Sequence, residues 1–151
     1  MNKPTVHSPE AAALLKLDNQ LCFPLYAASR MFTKAYQPLL QELDLTYPQY
    51  LVLLLLWEHG ERTVKQLGEE LLLDSGTLTP LLKRMEQRQW LTRRRDLRDE
   101  RSVIIGLTES GQQLRERACA VPAALLEKLD MPEAEFNQLR TQLKHLLTLL
   151  A

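Results

Sequence analysis

Glycine is scarce in this chain: five among 151 residues, where average usage would place roughly ten. So few glycines imply few strained loops and long helices, and they disfavour the glycine-rich phosphate cradle of a nucleotide enzyme. Two cysteines with no CxxC pattern exclude a disulfide scaffold. The three histidines, His7, His59 and His145, are too scattered for a zinc finger or a clustered metal sensor. His59 suits a helix end near the negative pole of the dipole instead. No charge dominates, since 19 Lys and Arg balance 19 Asp and Glu. The first twenty residues lack the basic, apolar and small-residue succession of a secretory leader. The longest apolar run, Tyr50–Trp57, is far shorter than the roughly twenty residues a bilayer span needs. These absences predict a cytoplasmic protein with no membrane partner and no cofactor, in a compartment where thiols stay reduced.

What is present is a single domain's worth of globular sequence, 45% apolar and 25% charged. Residues 1–10 read as a flexible tail. From Ala11 the apolar positions Leu14, Leu17, Leu21, Leu25, Ala28 and Phe32 step by threes and fours along one helical stripe reaching about Leu43. Pro24 and Pro38 lie inside it, so kinks or short breaks are expected there, with Pro24 freeing the carbonyl of Gln20. Thr46 with Gln49, and Thr63 with Gln66, are capping boxes that open two further helices. The first contains LVLLLLW, which has no polar face and calls for burial nearly all round; Glu58, His59 and Gly60 end it. The second turns Val64, Leu67 and Leu71 inward. After Ser75-Gly76 a helix runs from about Thr77 to Gln89 on the stripe Leu78, Leu81, Leu82 and Met85. LTRRR and RSVIIGL follow as a β-hairpin around the charged turn DLRDE. Helical periodicity returns from Glu109 to about Leu129, interrupted at Pro122, and a last stripe runs from Phe136 to Leu150.

This order predicts a mainly α protein: a winged helix-turn-helix over about residues 46–108, with one β-hairpin wing and N- and C-terminal dimerisation helices over 11–45 and 109–151. The outer helices carry more leucine than a monomer of this size needs, which points to a two-fold homodimer; a monomeric helical bundle is the simpler alternative.

Charge is local where the total is silent. Residues 83–101 hold eight basic side chains (Lys83, Arg84, Arg88, Arg93, Arg94, Arg95, Arg98, Arg101) against four acids, a surplus of four in a neutral chain. A solvated basic face is the plain explanation, but its place on a helix-turn-helix and hairpin fits phosphate binding. With the leucine stripe inward, Ser75, Thr77, Thr79, Lys83, Arg84 and Gln87 fall on the outer side of the helix. Small hydroxyl residues can approach base edges, and Lys83, Arg84 and Arg88 can reach phosphates. Toward the hairpin tip, Arg95, Arg98 and Arg101 are candidates to enter the minor groove of double-stranded DNA. Asp99 is placed either to aim Arg101 or merely to pair with it.

The segments LDNQLCFPLYAASR, YQPLLQELDLTYPQYLVLLLLWEH, LDSGTLTPLLKRMEQ and RRRDLRDERSVIIGLTESG resemble the organic-hydroperoxide resistance regulators of the MarR family. The D-x-R-S wing and helix order are general to MarR proteins; NQLCF together with TYPQY is narrower. The likeness covers roughly residues 14–122. It implies a homodimeric transcriptional repressor that binds a pseudo-palindromic operator and releases it when an organic hydroperoxide oxidises one thiol. By position, Cys22 matches the reactive cysteine, and Tyr36 and Tyr47 match two tyrosines whose hydroxyls bond that sulfur across the dimer interface. Asp99 and Arg101 match the wing pair. The resolving cysteine known in some members lies about two turns beyond Cys119, so Cys119 is either a resolving thiol, a bystander to a small-thiol cap, or filler.

Chemistry independently agrees. A thiolate is the nucleophile, phenolic donors favour it, and the apolar neighbours Leu21, Phe23 and Leu25 suit an alkyl peroxide. The alternatives are an inert Cys22 on a helix stripe, a MarR-type repressor induced by a small aromatic or phenolic ligand without thiol chemistry, and a thiol peroxidase. The last leaves the basic module unexplained, so no enzyme is expected.

Overall fold

The computed structural model describes residues 9–151. The expected tail therefore lies outside the described residues except for Pro9 and Glu10, as does His7. The chain divides into two compact units, one ending at Ala35 and one covering Tyr36–Ala151.

The first unit holds α1 (Pro9–Leu14), a 3-10 turn at Leu17–Asn19 and most of α2 (Cys22–Gln41). The predicted continuous stripe is broken, but not at the prolines. Asn19 Nδ2 donates to the Ala13 carbonyl at 2.8 Å and Gln20 Nε2 donates to that of Leu14. These side-chain amides satisfy orphan carbonyls and stop the first helix. Pro24 is the third residue of α2, where an amide donor has no intrahelical target. Gln20 is extended (φ −93°, ψ 122°), so Pro24 displaces no intrahelical bond from it. Pro38 sits inside α2, which runs on through it.

The second unit is built on α3 (Tyr47–His59), α4 (Val64–Leu71) and α5 (Ser75–Gln87), followed by a hairpin and three helices. Thr46 N donates to Gln49 Oε1 at 2.9 Å, and Gly60 closes α3 with φ 74°, its N–H reaching the Leu56 carbonyl. Thr63 and Gln66 exchange the two bonds of a capping box, at 2.9 and 3.1 Å. Leu53, Leu56, Leu67, Leu78, Leu82, Met85 and Ile105 form a core with almost no exposed surface. The all-round burial expected of LVLLLLW is incomplete in the single chain, since Leu54 remains 39% exposed.

The wing is β2 (Leu91–Arg95) paired antiparallel with β3 (Val103–Leu107), from Leu91 opposite Leu107 to Arg95 opposite Val103. A third strand, β1 (Arg62–Thr63), pairs on the other side of β3, with Arg62 opposite Ile105. Two residues carry too little alternation for a sequence pattern to reveal it. The C-terminal helices are α6 (Glu109–Ala118), α7 (Val121–Leu129) and α8 (Glu133–Leu150). The break expected at Pro122 falls at Cys119–Ala120, because a proline ring collides with the carbonyl four residues back, here Ala118. Gly111 is needed where α6 meets the core: a Cβ there would collide with the Trp90 carbonyl, and Trp57 Nε1 donates to the Gly111 carbonyl at 3.0 Å. Among the described residues no helix is long and apolar enough to cross a membrane, and no His, Cys, Asp or Glu group could hold a metal ion.

Candidate functional site

The α4–α5 turn presents the amino end of α5. Asp74 caps it, accepting from Thr77 N through Oδ1 and from Thr77 Oγ1 through Oδ2, both at 2.9 Å. The backbone N–H of Thr77, then its hydroxyl, hold the Asp74 carboxyl below the usual range. Thr77 is thus exposed with its hydroxyl engaged in the cap, Ser75 is exposed, and Thr79 is half-buried.

The basic side chains of residues 83–101 fall into two groups. Arg93 pairs with Glu86 (3.4 Å), Arg94 with Glu61 (2.7 Å), and Arg88 with Asp44. Among the described residues, the side chains of Lys83, Arg84, Arg95 and Arg98 make no ion pair or hydrogen bond within the chain, and all four are exposed. Local repulsion is thus quenched next to the core, and free positive charge is left along the outer part of α5 and the wing.

Residues 96–102 form a pinned turn. Arg101 N and Ser102 Oγ each donate to the Asp99 carboxylate at 3.1 Å, and Ser102 N donates to the Asp99 carbonyl at 2.8 Å. Asp96 accepts from Arg98 N at 2.9 Å. The Arg101 backbone donor, then the Ser102 hydroxyl and the Arg101 side chain, keep the Asp99 carboxyl low. Arg101 Nε reaches Asp99 at a long 3.4 Å, and its side chain is 94% exposed. Asp99 organises the loop, and Arg101 projects from it.

Cys22 and Cys119 are both free and exposed. Cys22 is the first residue of α2, in the first unit. In the second unit Tyr36 and Tyr47 pack with ring centroids 5.0 Å apart, and Tyr50 joins Tyr36 at 5.9 Å. Burial, then the neighbouring phenols Tyr47 and Tyr50, push Tyr36 up to about 12. Burial also raises Tyr47 and Tyr50. These phenols therefore stay protonated at neutral pH and keep an O–H to donate. Cys119, at the carboxyl end of α6, is close enough for its charge to contribute to the upward shift of Tyr50.

A family model described as transcriptional regulator SarA/Rot matches residues 34–117. The organic hydroperoxide resistance transcriptional regulator of Bacillus subtilis (strain 168) is 56% identical over 133 residues, which is 88% of this chain and 90% of that protein. The chain belongs to the MarR-type organic hydroperoxide resistance regulators. Two solved structures are similar to this MarR-type chain. Reduced AbfR bound to DNA has a TM-score of 0.79 and 38% identity, over 95% of this chain and 100% of that one. AbfR of Staphylococcus epidermidis has a TM-score of 0.70 and 41% identity, over 91% and 98%. The mainly helical winged-helix class expected from periodicity is thus the fold of the family.

Sequence reasoning missed several residues of this candidate site. Tyr50 was absorbed into an apolar run, although Tyr47 and Tyr50 are three apart and share a helix face. The cap Asp74 had a readable signal, an aspartate just before a helix. The acids Asp44, Glu61 and Glu86 had none, because their partners are brought to them only by the fold.

Proposed function

We propose that the protein is a homodimeric, cytoplasmic transcriptional repressor that holds a pseudo-palindromic operator while Cys22 is reduced and releases it once an organic hydroperoxide has oxidised that thiol. The observation that carries this reading is the half-buried tyrosine pair. Tyr36 and Tyr47, 5.0 Å apart and held protonated well above neutral pH, supply two phenolic donors for the partner's Cys22. Such donors favour the thiolate over the thiol.

The thiolate attacks the hydroxyl oxygen of the hydroperoxide, and the O–O bond breaks. The alkoxide leaves and takes a proton from solvent, while sulfur, oxidised by two electrons, becomes a sulfenic acid. A second thiol displaces water from it to form a disulfide. Cys119 is a candidate for that thiol, supported by its being free and exposed and near enough for its charge to act on Tyr50; a small thiol is the other. Loss of the phenol–sulfur bonds shifts the modules that carry α5, and half-sites about 34–36 Å apart tolerate little such movement.

On the DNA side, Ser75, Thr77 and Thr79 face base edges at the start of α5, and Lys83 and Arg84 bind phosphates. Arg95, Arg98 and Arg101 serve the wing, with Asp99 shaping the loop that directs Arg101 into the minor groove. The dimer is supported by the exposed leucines of α1, of the turn after it and of α8, among them Leu14, Leu15, Leu147 and Leu150.

An electrophoretic shift with cumene hydroperoxide tests the trigger. Wild type is expected to leave DNA while Cys22→Ser stays bound, and equal release of both overturns it. Replacing Cys119 by Ser decides the resolving thiol on a non-reducing gel, where a surviving crosslinked dimer would eliminate Cys119.

A further inference from the structure

Arg88 looks from sequence like one more phosphate contact, yet its surroundings give it a different task. It is the C-cap residue of α5, and both Nη1 and Nη2 of its guanidinium donate to Asp44 Oδ2. The same guanidinium lies over the Trp90 ring, 4.8 Å from its centroid. Both partners are fixed by backbone. Asp44 stands in a left-handed turn (φ 60°) at the end of α2, with its N–H on the Gln41 carbonyl at 3.0 Å. Gln89 reverses the chain after α5 (φ 60°), which lets Trp90 N reach the Met85 carbonyl at 3.2 Å and its carbonyl accept from Thr108 N at 3.1 Å. An exposed ion pair between two flexible side chains does little. A guanidinium stacked on a buried ring and bonded through two nitrogens has lost most of that freedom already.

The place where it lands is also informative. The α2–α3 corner, residues 42–46, lies in the chain between Tyr36 and Tyr47. A second arginine docks there: Arg117 Nη2, two residues before Cys119, donates to the Glu42 carbonyl at 2.6 Å. The corner thus ties the carboxyl end of α5 and the carboxyl end of α6 to the segment linking the two tyrosines.

We infer that Arg88 is a positioning residue, a strut that sets the angle of α5 against the α2–α3 corner through Asp44 and Trp90, and not a DNA contact. The inference rests on the DNA-binding part of the proposed function. A phosphate contact would need the charge free. A strut needs the two-nitrogen, stacked geometry, which lysine cannot reproduce.

The test uses a duplex selected from a random-sequence library by the wild-type protein, with affinity measured across a salt series. For a strut, Arg88→Ala, Arg88→Lys and Asp44→Ala each weaken binding by about five- to tenfold, the double variant is no worse than either single, and the salt slope is unchanged. For a phosphate contact, Arg88→Lys binds like wild type, Arg88→Ala lowers the slope by about 0.9 per protomer, and Asp44→Ala tightens binding by removing an opposing charge; any of these results overturns the inference. Thermal melting of the same variants gives a readout without DNA. Non-additive losses for Asp44 and Arg88 are expected, and additive ones overturn the strut even if no duplex is selected. A peroxide arm separates the two claims. If cumene hydroperoxide fails to release wild type, the redox reading falls while the salt-series result stands.

Discussion

The winged module and the outer helices bury their leucines very differently. Leu53, Leu67 and Leu78 in the module have no exposure, whereas Leu14 of α1 is 59% exposed and Leu147 of α8 is 53% exposed. Both regions are written in the same residue type at the same helical spacing. The module closes its own core within one chain; the outer helices present apolar stripes that a single chain leaves open, and a second copy is the natural cover.

The sharpest way to break this contrast is to truncate one leucine from each region. Leu78→Ala should destabilise by about 2–5 kcal/mol in urea unfolding, because a fully buried side chain leaves a cavity. Leu147→Ala should change the stability of an isolated protomer by no more than about 0.5 kcal/mol. Paired charges at Leu143 and Leu147 should instead shift the sedimentation profile toward monomer. Equal losses from the two truncations would erase the distinction.

Gly111→Ala should cost about 1–3 kcal/mol, since its Cβ meets the Trp90 carbonyl and the backbone must move. A melting temperature unchanged from wild type would show that α6 is less firmly seated than its contacts indicate.

The tyrosine cluster sharpens the comparison at intermediate scale. Tyr36→Phe should keep the reduced protein on DNA while slowing oxidation by hydroperoxide about tenfold, the order of one lost hydrogen bond to a charged sulfur. Stopped-flow oxidation beside DNA binding checks both halves. The raised Tyr36 value also predicts alkaline behaviour. A folded phenol that ionises near 12 against about 10 when unfolded contributes stability that is whole below pH 10. That contribution declines as pH rises toward 12. Tyrosinate absorbance set against urea melts would show it, and ionisation at the ordinary value would remove it.

The smallest effects belong to the two exposed carboxylates. Asp74 and Asp99 are both depressed, chiefly by backbone N–H donors from Thr77 and Arg101. Their contribution to the helix cap and to the wing turn is complete above about pH 4 and lost only as pH falls through the lowered values. Carboxyl carbon NMR titration should find both below the free-aspartate value; a normal titration at Asp99 would mean that the wing turn is open in solution.

Local features were legible wherever a few neighbouring residues carry the physics. The boxes at Thr46 and Thr63 and the stripe of α5 stand where spacing placed them, because each is set by contacts within four residues, and the hairpin strands do so because one short charged turn brings them together. The break before α2 was misplaced because the amides of Asn19 and Gln20 outcompete the more conspicuous proline at Pro24. The pairing β1–β3 was invisible because a two-residue strand is defined by its partner, not by its own pattern. Tyr36 and Tyr47 were singled out through resemblance, yet their mutual contact, and Tyr50 with them, emerged only from packing.

Periodicity, caps and the concentration of arginine already determined, from the chain alone, that this is a helical protein with a basic wing. Tertiary structure decided which of those arginines are free. Arg88 and Asp44 are 44 residues apart in sequence, and Arg94 and Glu61 are 33 apart. A charge is neutralised or available according to what the folded core brings within a few ångströms of it, and that distance is not written in any local pattern.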